Sequence, residues 1–218
     1  MSQLTFRFPF KTSYFEKDFF VSSNNFAAYR LVESCPNWPD KKINIFGPPG
    51  CGKTHLANIL KKKINAVLVK ASNLDNKILN NMKSKECLII DDYNEDIDEN
   101  LLYSILNHAN QFNQYVVIIS MKAVKKSNVK LQDLKSRLDS FIDLGIDLPT
   151  DDLLRVIITK SFSDKQIKVN VKILEYILKN IDRSYEKIFK LIKEIDEASL
   201  STGKSININL IKKVLKNE

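Results

Sequence analysis

The residues Gly47–Thr54, GPPGCGKT, have the types and spacing best suited to chemistry, because they match the pattern G-x-x-x-x-G-K-[ST]. Glycines let backbone N–H groups turn inward around a phosphate, and the following helix N-terminus adds its dipole. We expect Lys53 to reach the β- and γ-phosphates of a nucleotide and the Thr54 hydroxyl to bind Mg²⁺. A chance Gly-rich turn is the alternative. The residues expected around a nucleotide here are Gly47, Pro48, Pro49, Gly50, Cys51, Gly52, Lys53, Thr54 and His55.

A pair of carboxylates, Asp91 and Asp92, ends the apolar run CLIIDD. A carboxylate at the end of a buried strand beside a phosphate loop is suited to hold magnesium. We assign that role to Asp91, and we assign the orientation of an attacking water to Asp92. The alternative is a pair of acids that caps a turn.

Short β-branched runs alternate with helical patterns along the first two thirds of the chain. Continuous apolar runs separated by helices predict a parallel sheet of buried strands with helices on both faces. Ser72 is a candidate helix N-cap in this part. The five predicted strands are INIF, AVLVK, CLIIDD, YVVIIS and SFIDLG.

After Pro149 the pattern changes to amphipathic helices without a clear strand, and Thr150 and Asn170 are candidate N-caps. The pattern in this part of the chain predicts a small all-α bundle. The fold class is therefore α/β with a helical appendage. The predicted domains are an extended peptide at residues 1–10, a nucleotide-binding core at 11–148 and a helical lid at 149–218.

Composition excludes several classes of protein. The three cysteines are odd in number and widely spaced, and only two histidines are present, which argues against a disulfide framework and a zinc site. No apolar run has the ~20 residues of a membrane span, so we expect a cytoplasmic protein with no membrane partner. The formal charge is +8. One interpretation is that the lysines are scattered over solvent-exposed faces. The other is that basic residues, such as those in the stretch Lys122–Lys130, bind an acidic partner such as nucleic acid.

Three segments together carry a family resemblance: residues 14–34, the stretch INIFGPPGCGKTHLANIL, and CLIIDD. They resemble the AAA+ core of the bacterial replication initiator DnaA. The helical part is similar to the lid of the Hda family, DnaA-related regulators that inactivate DnaA after replication begins, notably in the pattern LI..ID.ASL. The resemblance implies an AAA+ phosphate-loop core with a five-stranded parallel sheet and a lid. We expect no DNA-reading helix-turn-helix to follow.

The resemblance also implies an arginine finger, an arginine that completes the nucleotide site of a neighbouring subunit. Arg137 in LKSRL matches that position. Its role would be to stabilise negative charge on the γ-phosphoryl oxygens. The alternative is a surface arginine paired with Asp133 or Asp139. The implied activity is stimulation of ATP hydrolysis by DnaA, so that the chain is a negative regulator of replication initiation.

Hydrolysis in the chain's own site is predicted to be weak or absent. Met121 stands where related sequences carry a carboxylate or amide, and Glu186 stands near the sensor arginine of the lid, where Arg183 is the candidate substitute. The resemblance implies that Val21 packs against adenine. ADP or ATP, with Mg²⁺, would then join core and lid, and binding would stabilise the active form. The sequence leaves the resident nucleotide and a homodimer open.

The first residues, MSQLTFRF, are similar to the Q-L-x-L-x-F peptides that bind the bacterial sliding clamp (the polymerase III β subunit). Gln3, Leu4, Phe6 and Phe8 would enter an apolar cleft of the clamp. An edge strand is the structural alternative. DNA would be reached through the clamp. Two other functions stay open, namely a helicase-loader-like AAA+ ATPase that acts on single-stranded DNA and a non-catalytic interaction module.

Overall fold

The computed structural model describes residues 14–165, 167, 169–202 and 206–216. One compact unit covers Tyr14–Asp147, and residues from Leu148 onward belong to another. The first unit begins with a 3₁₀ turn at Glu16–Asp18. Its strands and helices are α1 (Phe26–Glu33), β1 (Lys42–Phe46), α2 (Lys53–Lys63), β2 (Ala66–Lys70), α3 (Ile78–Met82), β3 (Cys87–Tyr93), α4 (Glu99–Gln111), β4 (Tyr115–Ser120), α5 (Gln132–Asp139) and β5 (Ile142–Gly145).

The five strands form one parallel sheet in the order β2-β3-β4-β1-β5, which confirms the predicted fold class. Ile43 of β1 is paired with Val117 of β4 on one side and with Ile142 of β5 on the other. The central strands are covered on both faces, and Ile43, Ile89 and Val117 are fully buried. This burial accounts for the continuous apolar runs in the sequence.

The carboxyl ends of β1, β3 and β4 lie at the same edge of the sheet. Buried Asn44 connects two of these strands, because its Nδ2 donates to Ile118 O (3.0 Å) and to Ser120 Oγ (2.8 Å) of β4. Its Oδ1 accepts the N–H of Val124 at 3.0 Å. This satisfied polar network fixes the end of β4 beside the loop that follows β1.

Two local predictions differ from the structure. Ser72 was predicted to cap a helix, but it lies inside a 3₁₀ turn at Ala71–Asn73, and α3 begins only at Ile78. Asp75 supplies the turn before α3 instead, because its Oδ1 accepts the N–H of Lys77 at 2.9 Å. The last predicted strand begins at Ile142 because Ser140 still closes α5.

Helices are the only regular elements among the described residues of the second unit, as predicted. Thr150 and Asn170 are N-caps, since their side chains accept the N–H groups of Leu153 (3.3 Å) and Ile173 (2.9 Å). The unit has an apolar cluster of its own, which includes fully buried Ile158. None of the helices in the described part of the chain combines the length and apolar character that a membrane crossing requires. The helices are α6 (Asp151–Asp164), α7 (Val171–Asn180), α8 (Tyr185–Thr202) and α9 (Ile208–Lys216).

Candidate nucleotide-binding site

The loop from Gly47 to Gly52 connects the end of β1 to the start of α2, as predicted. Gly50 and Gly52 have φ angles of 79° and 98°, which residues with a Cβ rarely adopt. A Cβ at Gly52 would lie 2.9 Å from Cε2 of Phe19, and a Cβ at Gly47 would lie 2.6 Å from the Ile146 carbonyl oxygen. The loop conformation therefore requires glycine at these positions.

Lys53, the first residue of α2, turns back over the loop. Its Nζ donates to the carbonyl oxygens of Gly47 and Pro48, each at 2.8 Å. Gly52 precedes α2 without a side-chain cap, so the first N–H groups of the helix face the loop without an intrahelical partner. An ammonium group and a helix N-terminus thus converge here, which is an arrangement that favours a phosphate.

Thr54 and Asp91, the two predicted magnesium ligands, are in direct contact. Thr54 Oγ1 donates to Asp91 Oδ2 at 2.9 Å. Asp91 is buried, and its Oδ1 accepts the N–H of Asp92 at 3.0 Å. No lysine or arginine of the described residues makes an ion pair with Asp91. A buried carboxylate without a paired cation, next to a hydroxyl, is a donor set that fits Mg²⁺.

Asp92 lies in a left-handed conformation, with φ 56°, where the pairing of β3 with β4 shifts between Ile90 and Tyr93. This irregularity turns the Asp92 side chain outward, and the residue lines the cavity beside the loop. Its carboxylate accepts a hydrogen bond from Lys70 Nζ at 3.1 Å, which raises the pKa of Lys70. The sequence did not indicate Lys70, because β2 and β3 become neighbours only in the folded sheet.

The end of β4, next to Met121, already makes hydrogen bonds within the protein. Ser120 Oγ donates to the Lys122 carbonyl oxygen at 2.6 Å and accepts from Asn44. Met121 is 62% exposed and lines the cavity. A thioether cannot donate a hydrogen bond to a phosphate. Asn44 was not predicted as part of this region, although a single Asn inside the apolar strand INIF was a signal for it.

The cavity beside the loop has a volume of about 610 Å³, within the usual size of small-molecule sites. His55 lines it, and His55 Nε2 lies 2.8 Å from the Phe15 carbonyl oxygen. The His55 ring also contacts Tyr14 and Phe19, with centroids 5.4 Å away in each case. The lining residues are Tyr14, Pro49, Gly50, Gly52, Lys53, Thr54, His55, Asp92, Tyr93, Asn94, Ile119, Ser120 and Met121.

Val21, the predicted adenine contact, does not line this cavity. It is half-buried at the start of a tight turn in which Asn25 Oδ1 accepts the N–H of Ser22 at 2.9 Å and Asn25 Nδ2 donates to the Phe20 carbonyl oxygen at 2.9 Å. Its role at adenine stays a prediction.

Cys51 is buried inside the loop. Desolvation raises the pKa of its thiol, and the nearby Lys53 ammonium, at 3.7 Å from Sγ, only partly opposes this rise. The thiol is therefore protonated at neutral pH, and Cys51 acts in packing and not as a nucleophile.

Arg137 lies on α5, whose Leu134 and Leu138 are fully buried. The alternative pairing of Arg137 with Asp133 or Asp139 does not occur, since Asp139 is paired with Lys135 at 2.5 Å. Among the residues that the structure describes, no carboxylate forms an ion pair with Arg137. Arg137 is half-buried on an anchored helix, and no carboxylate in the described part of the chain competes for its guanidinium.

Arg183, the lid residue predicted to contact nucleotide, forms a two-point ion pair within the lid. Its Nε lies 2.8 Å from Asp151 Oδ1, and a terminal nitrogen lies 2.9 Å from Asp151 Oδ2. Glu186 is exposed on α8. The predicted clamp residues Gln3, Leu4, Phe6 and Phe8 lie outside the described residues.

Comparisons with known proteins match the two parts of the chain separately. An RNA helicase family model matches residues 43–134, and a model of the Hda lid domain matches residues 151–215. No curated protein matches the chain.

Solved structures of several AAA+ proteins are similar over most of the chain. Domain III of DnaA from Thermotoga maritima is 19% identical, with a TM-score of 0.78, over 96% of this chain and 98% of that one. AMPPCP-bound DnaA from Aquifex aeolicus is 22% identical, with a TM-score of 0.69, over 86% of this chain and 66% of that one. The RuvB Holliday junction branch migration motor from Thermotoga maritima is 24% identical, with a TM-score of 0.62, over 81% and 61%.

The chain thus spans about two thirds of the longer proteins that it resembles, and these identities establish the fold alone. The match at residues 151–215 adds the type of the lid. The chain therefore has the fold of the AAA+ domain of DnaA, and its residues 151–215 match the lid domain of Hda.

Proposed function

We propose that the cavity beside the Gly47–Thr54 loop binds ADP or ATP with Mg²⁺. The backbone N–H groups of the loop and Lys53 would hold the phosphates, while Thr54 and Asp91 would hold the metal. The support is the convergence of these groups at one edge of the sheet, together with the AMPPCP-bound state of a similar structure, the DnaA of Aquifex aeolicus.

The same geometry favours weak or absent hydrolysis by this chain. Asp92, the candidate for orienting water, is hydrogen-bonded to Lys70. The Ser120 hydroxyl already donates its hydrogen bond to the Lys122 carbonyl oxygen. Met121 offers no donor. A nucleotide bound here would then serve as a stabilising ligand, which favours the folded state by simple linkage.

We further propose that the chain is a negative regulator of bacterial replication initiation that presents Arg137 to the nucleotide of ATP-loaded DnaA. The observation that carries this proposal is the Arg137 guanidinium on the anchored helix α5, which makes no ion pair with any carboxylate of the described residues. A free guanidinium can neutralise charge on the γ-phosphoryl oxygens of another subunit, an effect worth ~10³–10⁵ in rate for arginine fingers. The Hda-type lid supports DnaA as the partner.

The segment with Gln3, Leu4, Phe6 and Phe8 would bring the regulator to replicating DNA by binding the sliding clamp in the cytoplasm. Contact with DNA would then pass through the clamp. The basis is sequence chemistry, an amide followed by apolar side chains in an extended peptide.

The test is ATP hydrolysis by ATP-bound DnaA, mixed with the purified chain and with clamp loaded on DNA. We expect hydrolysis to increase with the chain and the increase to require clamp binding. The double change Gln3→Ala and Leu4→Ala should abolish clamp binding and leave nucleotide affinity unchanged. Hydrolysis that does not respond to the chain would reject the proposal, and full clamp binding by the double variant would reject the assignment of the peptide.

A second candidate function is a helicase-loader-like ATPase that acts on single-stranded DNA. The observation in its favour is that Lys122, Lys125, Lys126 and Lys130 are all exposed in the connection between β4 and α5. Direct binding through these lysines should be salt-sensitive, with log K falling by about 0.7 per phosphate contact per unit of log salt. Weak binding at physiological salt, unchanged when the four lysines are replaced by alanine, would remove this candidate.

A further inference from the structure

The connection that leads into α5 is held by two acidic side chains that follow β3. Glu99, the first residue of α4, accepts the N–H of Lys130 at 2.9 Å through Oε1 and the N–H of Leu131 at 2.7 Å through Oε2. Glu95 Oε1 accepts the N–H of Asn128 at 3.1 Å. Two glutamates, one before α4 and one at its first position, therefore fix the backbone just before the helix that carries Arg137.

Glu99 holds the backbone just before α5, a helix that has no side-chain cap of its own. Leu131 occupies the N-cap position of α5, and its side chain offers no acceptor to the first N–H groups of the helix. The Glu99 carboxylate lies at this end of the helix, where a negative charge interacts favourably with the helix dipole. The two backbone hydrogen bonds lower the pKa of Glu99, so the acceptor is anionic at neutral pH.

The other end of α5 is held independently. Ser140 N and Ser140 Oγ both donate to the Arg137 carbonyl oxygen, at 3.2 Å and 2.6 Å, and Lys42 Nζ donates to Ser140 Oγ at 3.1 Å. Between the two ends, Leu134 and Leu138 are buried in the same apolar cluster as Leu102 and Leu106 of α4. Loss of Glu99 would thus release one end of a short helix while its packing keeps the helix on the protein.

We propose that Glu99 is a positioning residue for Arg137, which sets where the guanidinium stands by fixing the N-terminal end of α5. The inference rests on the proposed function insofar as Arg137 acts on a partner's nucleotide. A misplacement of about 1 Å at a reacting centre can cost about 10²-fold in rate, so a small movement of this end has a large effect.

The first test needs no partner. Amide hydrogen exchange is measured at Lys130 and Leu131 in the full chain and in the variants Glu99→Ala, Glu99→Gln and Glu33→Ala. Glu33 is the matched control, because its exposed carboxylate pairs only with exposed Arg30 among the described residues. We expect exchange to rise about tenfold or more in Glu99→Ala, the size expected for loss of a bond to a charged acceptor. Glu99→Gln should be intermediate, because its amide oxygen can still accept one N–H, and Glu33→Ala should match the parent.

The second test separates positioning from partner affinity. The maximal stimulated rate of DnaA hydrolysis and the chain concentration at half-maximal stimulation are measured for the same variants. Glu99→Ala should lower the maximal rate by about tenfold or more, with the half-maximal concentration within about twofold of the parent. Glu99→Gln should recover part of the rate, and adding Glu99→Ala to Arg137→Ala should cause no further loss.

The outcomes distinguish the two proposals. Unchanged exchange at Lys130 and Leu131 in Glu99→Ala overturns the positioning inference, as does a full maximal rate in a variant whose exchange has risen. If the parent chain itself does not stimulate DnaA, the proposed function is rejected, and exchange alone decides whether Glu99 fixes α5. Thermal unfolding of each variant identifies any loss of fold, and Glu99→Gln keeps the test available if Glu99→Ala is unstable.

Discussion

Thr54 Oγ1 donates a hydrogen bond of 2.9 Å to Oδ2 of buried Asp91. The two residues are 37 positions apart in the sequence, and they come from the start of α2 and the end of β3. Their contact brings together the phosphate loop and the carboxylate strand, which are the two halves of the proposed Mg²⁺ site. If these two residues hold Mg²⁺, the dependence of nucleotide affinity on Mg²⁺ tests the proposed site directly.

Asp91→Asn should remove most of the gain in nucleotide affinity that Mg²⁺ provides. The amide oxygen can still accept from Thr54, so the fold is expected to be kept while the anionic metal ligand is lost. We expect the effect of Mg²⁺ on ADP affinity, measured by calorimetry with and without EDTA, to fall about tenfold or more. The control is Asp92→Asn, since asparagine tolerates the left-handed conformation of that exposed residue. Equal Mg²⁺ dependence in Asp91→Asn and the parent chain would contradict the assignment of Asp91.

Lys53→Ala should weaken nucleotide binding through loss of the ammonium beside the loop. A charge-assisted hydrogen bond contributes about 1.5–3 kcal/mol, which corresponds to roughly 10- to 100-fold in the Kd of ADP. Titration of a fluorescent ADP analogue measures the change. Lys61→Ala is the matched control, because Lys61 is exposed on the same helix α2. The account is wrong about the loop if the two variants bind ADP equally well.

Gly52→Ala should destabilise the core, because the new Cβ meets Phe19 at 2.9 Å and the backbone has φ 98°. We expect a loss of about 1–3 kcal/mol in the free energy of unfolding, measured with urea. The Phe19→Ala background separates the two causes, since it removes the steric contact and leaves the unfavourable φ. Gly52→Ala should cost less in that background. No loss in either background would show that the loop does not need this conformation.

The free energy of unfolding should fall as the pH rises above about 9. Burial raises the pKa of Cys51 and of Cys87 from an ordinary value of 9.0, and it raises the pKa of Tyr93 from 10.0. A group whose pKa is raised in the folded state holds its proton more tightly there, so its contribution is complete below the ordinary pKa and is lost as the pH rises through the raised value. Urea unfolding between pH 7 and 11 measures the trend.

The strand residue Cys87 provides the internal check. Cys87→Ala should lower stability at pH 7, because it leaves a cavity in the core, but the fall above pH 9 should be shallower than in the parent chain. A profile as steep as that of the parent would show that another group dominates the alkaline region.

The phosphate loop was predictable because it is local. Its glycines, lysine and threonine are consecutive residues, and the strand before it and the helix after it appear in the hydrophobic pattern. The parallel sheet was predictable for a similar reason, since buried parallel strands are continuous apolar runs. The side chains and positions of Thr150 and Asn170 suffice to predict that they cap helices.

The contacts that depend on strand order were not predictable from one sequence. The bond between Lys70 and Asp92 requires β2 beside β3 and the irregular pairing that turns Asp92 outward. Which acid pairs with which base near Arg137 depends on side-chain rotamers on α5, where Lys135 and not Arg137 bonds to Asp139. The role of Glu99 is of the same kind, because 31 residues separate it from the backbone that it holds.

The measurement that tests the central claim most directly is a single-turnover assay on DnaA preloaded with γ-labelled ATP, mixed with clamp-loaded DNA and an excess of this chain. Preloading assigns the released phosphate to DnaA. Arg137→Ala and the matched variant Arg30→Ala, a surface arginine paired with Glu33, are compared with the parent. The account predicts that the parent and Arg30→Ala accelerate phosphate release equally and that Arg137→Ala reduces the acceleration by about 10³-fold or to background. Acceleration by Arg137→Ala equal to that of the parent would contradict it.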